Sequence, residues 1–373
     1  MESKGLILVY DPHNLYQFLW YYCTYGKDMK WDALCLPNEG KGEYMSAYCK
    51  RVGIFEQVYS DETEYVHMPL SKKIGIFMKM FGHAITGRRV SYCKKLLNQY
   101  VNIDEYKKIV VMTDVGFVSG ASLALGAEKS VVVLEDGVGD YVERTNRNLV
   151  RNITNLYDWQ GYLMAKLGYS NVGHRYPLKT TKYCEKFCSH PEYMIYRDYA
   201  SLHQLFDYTN TDKELLDALI EKVYPEIATV DFEKLEAVLF TATIKSFTSE
   251  EKKYVEKIQE YMNCRYKNIL VKKHPRDTIE YEFAPDMEIQ NVAASVPAEA
   301  LLHYIRGKAL VFASFSATLF YLDSVENDIK ILYMKGLHKE CVEQNTYLMY
   351  DTLETVQNHL KQIHMEEIPI VEL

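Results

Sequence analysis

The chain has no long apolar run. None approaches the roughly 20 consecutive apolar residues a helix needs to cross a bilayer, and Glu2, followed at once by a strand-like segment, does not resemble a secretion signal. A cytoplasmic protein is the expectation. An excess of positive charge is also missing. The 43 Lys and Arg stand against 51 Asp and Glu, a formal net charge of −8, which argues against a broad nucleic-acid surface, so no nucleic-acid partner is expected. Paired cysteines are absent as well. Eight are scattered at positions 23, 35, 49, 93, 184, 188, 264 and 341, without the density of a disulfide scaffold, and reduced thiols are the default. Cys184, Cys188 and His190 lie close together but lack a fourth ligand and fit no common zinc spacing, so no metal site is expected. There is no internal repeat and no low-complexity tract.

What is present is a globular composition, 48% hydrophobic and 25% charged, on 373 residues. That length exceeds the size at which single cores stop growing, so two domains are the natural prior. The 32 tyrosines and 14 phenylalanines supply core packing, and aromatic platforms also suit sugars and bases. One stretch, residues 68–89, combines apolar residues with Lys72, Lys73, Lys79, Arg88 and Arg89. A solvated helix face is its plain reading, and contact with an anionic leaflet is the other.

Short apolar runs at Leu6 to Tyr10, Ala33 to Leu36, Ile54 to Tyr59, Ile109 to Met112 and Val131 to Leu134 alternate with amphipathic stretches such as Leu15 to Cys23 and Arg89 to Tyr100. This is the rhythm of a parallel sheet covered by helices. Residues 155–230 are irregular and read as a connector with its own helices, among them Asp212 to Val223. A second alternating series follows. Its strands are Ala237 to Thr241, Asn268 to Lys272, Ala309 to Phe312 and Ile329 to Tyr333, and its helices are Ser249 to Met262 and Pro297 to Ile305. The expected fold class is α/β, with two nucleotide-binding-type domains facing each other: residues 1–160, then a connector and second domain over 161–345. Residues 346–373 carry an amphipathic stretch, Leu353 to Ile363, read as a helix packing back across the junction.

In open parallel sheets ligands bind beyond the carboxyl ends of strands. Five segments of this chain follow strand-like runs: Asp11 to Asn14, Thr113-Asp114, Glu135-Asp136-Gly137, His274-Pro275, and Ser314 to Thr318. Glu135 and Asp136 are adjacent carboxylates whose repulsion raises one pKa toward the range of a general base, and Gly137 leaves room for a substrate. His274 follows Lys272 and Lys273 and is fixed by Pro275, a placement suited to hydrogen bonding a phosphate. Glu299 sits near free amides at a proline-started turn, where its carboxylate is also available to ribose hydroxyls. Ser314, Ser316 and Thr318 lead from a strand into a helix and suit phosphate binding or simple capping. Thr241 and Thr243 approach the same place with weaker warrant. His190-Pro191 repeats the His-Pro dipeptide but follows Cys188-Ser189, not an apolar run, and is set aside.

Taken in order, Glu135-Asp136-Gly137, Lys272-x-His274-Pro275, Pro297-x-Glu299 and the Ser314 to Thr318 turn resemble the motif set of bacterial sialyltransferases. The resemblance is to glycosyltransferase family 52, the lipooligosaccharide and capsule sialyltransferases, with the bacterial polysialyltransferases next. It implies a GT-B fold, two Rossmann-like domains with parallel sheets, and a cytidine-monophosphate (CMP) sialic acid donor. It implies Asp136 as general base, with Glu135 the less favoured candidate, and His274 acting on the departing CMP. Lys272 then supports the phosphate beside Pro275, Glu299 holds the ribose, and Ser314, Ser316 and Thr318 bind the phosphate. Variable loops, with His13, Asn14 and Gly137, lie on the acceptor side. Phe315 and Ala317 interrupt the two adjacent hydroxyl residues of the family pattern.

A monophosphate leaving group needs less charge compensation than a diphosphate, and the chain has no Asp-x-Asp sequence, so the expected enzyme is metal-independent and without a cofactor beyond its donor substrate. Direct attack by the acceptor oxygen, without a covalent enzyme intermediate, is expected to make it inverting. Its partners are a nucleotide-sugar donor and a glycan acceptor, expected to be galactose-terminated. Peripheral contact with the inner face of the membrane and a homodimer both stay open. Polysialyl transfer or transfer of another CMP-linked ulosonic acid falls within the same reading. A phosphotransferase using cytidine-diphosphate glycerol shares the Lys-x-His-Pro strand end but lacks the acidic pair, and a catalytically silent glycan- or nucleotide-binding protein is the third class.

Overall fold

Short segments rich in Val, Ile and Leu and buried on both faces form parallel strands, which is how the sequences KGLILV, SVVVL, AVLF and ALVF behave here. In the computed structural model the described residues are 3–36, 42–60, 70–112, 117–135, 141, 181–194, 198–241, 249–275, 277–313, 317–322, 328–334 and 365–371. They divide into two units, Met1–Val223 and Tyr224–Leu373.

The first unit holds seven parallel strands: β1 Lys4–Val9, β2 Lys30–Cys35, β3 Phe55–Ser60, β4 Lys108–Val111, β5 Ser130–Leu134, β6 Glu185–Cys188 and β7 Ser201–Gln204. Their spatial order is β3-β2-β1-β4-β5-β6-β7. Its helices are α1 Pro12–Tyr21, α2 Gly42–Val52, α3 Leu70–Ile85, α4 Arg89–Leu97, α5 Phe117–Leu123 and α6 Lys213–Val223. One core gathers Leu6, Leu8, Ile109, Val111, Val131 and Val133 from the strands with Met80 and Leu97 from the helices.

The second unit holds six: β8 Ala237–Phe240, β9 Asn268–Lys272, β10 Glu288–Val292, β11 Ala309–Phe312, β12 Asp328–Met334 and β13 Met365–Val371, in the order β10-β9-β8-β11-β12-β13. The helix α7, Ser249–Asn263, links β8 to β9. It lays Val255, Ile258 and Met262 on a core with Leu239, Ile269 and Val311.

Counted within its own unit, each sheet runs 3-2-1-4-5-6, the Rossmann order, with a seventh strand appended to the first. The order reverses between β1 and β4 and again between β8 and β11. Such reversals open a crevice at the carboxyl ends of the strands. The two-domain α/β architecture expected from the sequence is present.

Three expectations need correction. The irregular stretch is not a connector: β6 and β7 lie within it, pair onto β5 in register, and carry the first unit on to Val223 in place of residue 160. These strands were hard to see because β6, EKFC, contains a buried lysine and β7, SLHQ, is mostly polar. The stretch Pro297 to Ile305 is only a 3₁₀ turn at Ala298–Leu301, followed by loop. The chain's end is not wholly helical either, since Met365–Val371 is a strand beside β12. The Leu353 to Ile363 stretch lies outside the described residues. Among the described residues no helix is long and apolar enough to cross a membrane.

Candidate active site

In the first unit the carboxyl ends of β1, β4, β5 and β6 carry the candidate residues. After β1, Asp11 caps α1 by accepting the Asn14 N–H at 2.9 Å, and Pro12 occupies the first turn, where its missing N–H costs nothing. Asn14 is buried, and its side-chain oxygen accepts the Tyr10 N–H at 3.3 Å. It therefore shapes the β1–α1 turn from within. His13 is half-buried and pairs with Gln17 at 3.0 Å. The Tyr10 hydroxyl sits 2.6 Å from Ser119 Oγ of α5, and burial pushes its pKa up to about 12.

Glu135 follows β5 directly and is fully buried. Its Oε2 accepts from the Tyr141 hydroxyl at 2.6 Å, the Ser189 N–H at 2.5 Å and the Ser189 hydroxyl at 2.6 Å. Around it Lys186 donates to the Leu134 carbonyl at 2.9 Å, and Gln204 donates to the Ser189 carbonyl at 2.6 Å. The ends of β5, β6 and β7 are thereby tied together. A carboxylate with no exposed surface and three donors on one oxygen is a fixed post, and the next residue along the chain is Asp136. Asp136 and Gly137 lie outside the described residues, as does Thr113-Asp114.

His190-Pro191, set aside in the sequence, does follow a strand. The His190 N–H donates to the Tyr141 hydroxyl at 3.1 Å, and its Nδ1 lies 3.1 Å from Glu192. Ser189 was missed, and His190 set aside, because β6 was missed. Once β6 is recognised, the rule that sites follow strand ends points at Ser189 and His190.

In the second unit the carboxyl ends of β8, β9, β10 and β11 are stitched together. The Thr241 N–H donates to the Lys272 carbonyl at 3.1 Å, and the Ala313 N–H donates to the Phe240 carbonyl at 2.9 Å. The Thr241 hydroxyl accepts the His274 N–H at 3.0 Å, so the backbone of the Lys-x-His-Pro segment is held from the neighbouring strand. Below it the Asp277 N–H donates to the His274 carbonyl at 2.9 Å, and the Asp277 carboxylate accepts the Tyr281 hydroxyl at 3.1 Å. Burial and the Asp277 charge drive the Tyr281 pKa far upward. His274 is half-buried and Pro275 exposed, so the imidazole stands at the open edge of the sheet.

Lys272 is buried, and two of its three N–H donors reach the Lys273 carbonyl at 2.7 Å and the Ala294 carbonyl, just past β10, at 3.2 Å. Burial lowers its pKa to about 8, opposed by the Glu299 carboxylate. The group is thus a cation at neutral pH held in a setting that disfavours its charge, and a second anion would relieve that cost. Glu299 is itself buried and accepts the Thr318 hydroxyl at 3.0 Å. The structure therefore brings Thr241, Lys272, His274, Glu299 and Thr318 to one edge. Ser314, Ser316 and Thr243 fall outside the described residues. The segment Asp277 to Tyr281 and Ala294 were not anticipated, and nothing local in the sequence marks them.

A model of the alpha-2,8-polysialyltransferase (POLYST) family matches residues 88–335, well over half of the chain. The chain belongs to this family, a family of sialyltransferases. No curated protein matches the sequence. Among solved structures, the glycotransferase of kitacinnamycin is similar across 100% of this chain and 87% of its own, with 10% identity and a TM-score of 0.50. A sialyltransferase from Photobacterium damsela is similar over 98% of this chain and 81% of its own, with 11% identity and a TM-score of 0.49. At such identities a likeness speaks to fold alone, and the first of them agrees with the GT-B class expected from the motifs.

Proposed function

We propose that the chain transfers sialic acid from CMP-sialic acid to a glycan hydroxyl, with inversion at the anomeric carbon and without a metal ion. In this reading Asp136 takes the proton of the acceptor hydroxyl, whose oxygen attacks C2 of the donor sugar. The bond from C2 to the phosphate oxygen breaks through an oxocarbenium-like state, and its electron pair leaves with CMP. His274 donates a hydrogen bond or proton to the departing phosphate, and Lys272 supplies positive charge behind it. Thr318 and Glu299, together with Ser314 and Ser316, shape the donor pocket.

The observation that carries the reading is the second unit's strand edge, where a half-buried imidazole, a buried ammonium and a hydroxyl–carboxylate pair meet at the switch point of a Rossmann sheet. The three hydrogen bonds on Glu135 Oε2 support the choice of Asp136 over Glu135 as the base. The chain's own donors suit a monophosphate, which leaves with less charge than a diphosphate. The family description favours a sialylated glycan as acceptor, its terminal sugar offering the 8-hydroxyl. A galactose-terminated glycan is the other arm of the test. Incubation with CMP-sialic acid and either acceptor should release CMP and yield an α-linked product, with extension on oligosialic acid. Transfer of a phosphate-containing group from cytidine-diphosphate glycerol instead would replace this reading with the phosphotransferase one.

A further inference from the structure

Helix α3 is apolar on two faces, and its own unit uses only one. Ile76, Met80 and Ala84 pack against the first unit's core. On the other side Ile74, Met78 and Ile85 are 51%, 59% and 67% exposed. Residues spaced by four and then seven along a helix form one stripe. Three of the six large hydrophobic residues exposed among the described residues sit on this stripe, so the exposure is concentrated and not the scatter normal to a soluble surface. Gly75 and Gly82 flank it, and a side chain added at either would meet nothing within 4 Å.

The charge around the stripe is one-sided. From Tyr65 to Ile103 the chain contains no Asp or Glu and seven Lys or Arg, within a chain of net charge −8. Lys79 and Arg88 are exposed beside the stripe. A second copy docking here would bring two cationic segments together, and a polyanionic sugar would have no use for Ile74, Met78 and Ile85. A surface that is apolar in its middle, cationic at its borders and built from a segment without Asp or Glu is complementary to an anionic lipid bilayer, where the stripe enters the headgroup boundary and the cations meet lipid phosphates. We propose that this exposed face of α3 docks the protein on such a bilayer. The docking holds the enzyme at the bilayer surface, and it does not depend on the transfer chemistry above.

The test uses the full chain and sedimentation with vesicles of phosphatidylcholine alone or mixed with phosphatidylglycerol. Binding to the anionic vesicles should be about tenfold or more tighter than to the neutral ones and should weaken with salt. The double substitution Met78→Glu, Ile85→Glu should lower it by about tenfold or more, with circular dichroism unchanged, because both side chains are exposed. Substituting Lys79→Gln and Arg88→Gln should remove the preference for anionic vesicles. Equal binding by the wild type and the Met78→Glu, Ile85→Glu variant, or no vesicle binding by the wild type, would overturn the proposal. So would a dimer in light scattering that the same pair of substitutions splits, since the face would then belong to a second copy.

Discussion

Ser189 gives both its backbone N–H and its hydroxyl to the same oxygen of Glu135, at 2.5 and 2.6 Å. Two strands, β5 and β6, end on that oxygen, and the Tyr141 hydroxyl completes it at 2.6 Å. The relationship gives the Glu-Asp-Gly signature an asymmetry that the sequence alone does not have. The first carboxylate is internal and bound, and Asp136 is the next residue in the sequence.

Removing one donor from a buried carboxylate leaves charge imperfectly compensated, at a cost of about 1–3 kcal/mol. Ser189→Ala and Tyr141→Phe should each lower kcat about tenfold while leaving the KM for the donor within about twofold, because the proposed donor residues belong to the other unit. Ser189→Thr, which keeps the hydroxyl, should restore most of the loss. Steady-state kinetics with donor and acceptor varied separately check this, and a rise in donor KM with unchanged kcat would contradict it.

Lys272 provides a pH signature. Its pKa falls from 10.5 to about 8 on folding because burial disfavours the ammonium. Between those two values the unfolded chain holds more protons at this position than the folded chain, so the stability this lysine contributes rises with pH across that window and is flat below it. Compared with Lys272→Met by urea denaturation near pH 7 and near pH 10, the wild type should gain up to about 3 kcal/mol relative to the variant. A difference that does not change with pH would contradict the burial argument. Lys272→Met should also weaken CMP binding by about tenfold, read by calorimetry.

Two glycines should respond with opposite sign. Gly5, in β1, is paired with Trp31 of β2, and a Cβ placed on Gly5 would overlap the fully buried Trp31 ring. The indole is anchored by its own N–H on the Gly26 carbonyl at 2.8 Å, so it has little room to yield. Gly5→Ala should destabilise by about 1–3 kcal/mol. Gly82→Ala, on the open face of α3, should stabilise by about 0.5–1 kcal/mol through helix propensity. Thermal unfolding of the two variants checks both signs.

Much of the architecture was legible because buried parallel strands announce themselves as apolar runs. The strands Asn268–Lys272 and Ala309–Phe312 fall where the sequence placed them. The failures share a cause. Lys186 is buried in β6 because the Leu134 carbonyl receives its ammonium, a long-range contact that no local pattern reports. Strand β10 is an edge strand with mostly exposed residues, so it lacks the apolar signal. Among the candidate site residues, those that follow recognised strands, such as Glu135, His274 and Thr318, are readable from the sequence as candidates. Their supports are not, because Ser189 and Ala294 matter for where their backbone lies and Tyr141 for what it touches.

The central claim is most directly tested by following CMP-sialic acid with an oligosialic acid acceptor by proton NMR, for the wild type, Asp136→Asn and His274→Ala. The wild type should release CMP as an α-linked product grows, and each substitution should cut turnover by about a hundredfold or more with the fold retained. Unchanged turnover in both variants, or a product that keeps the donor's β configuration, would contradict the account.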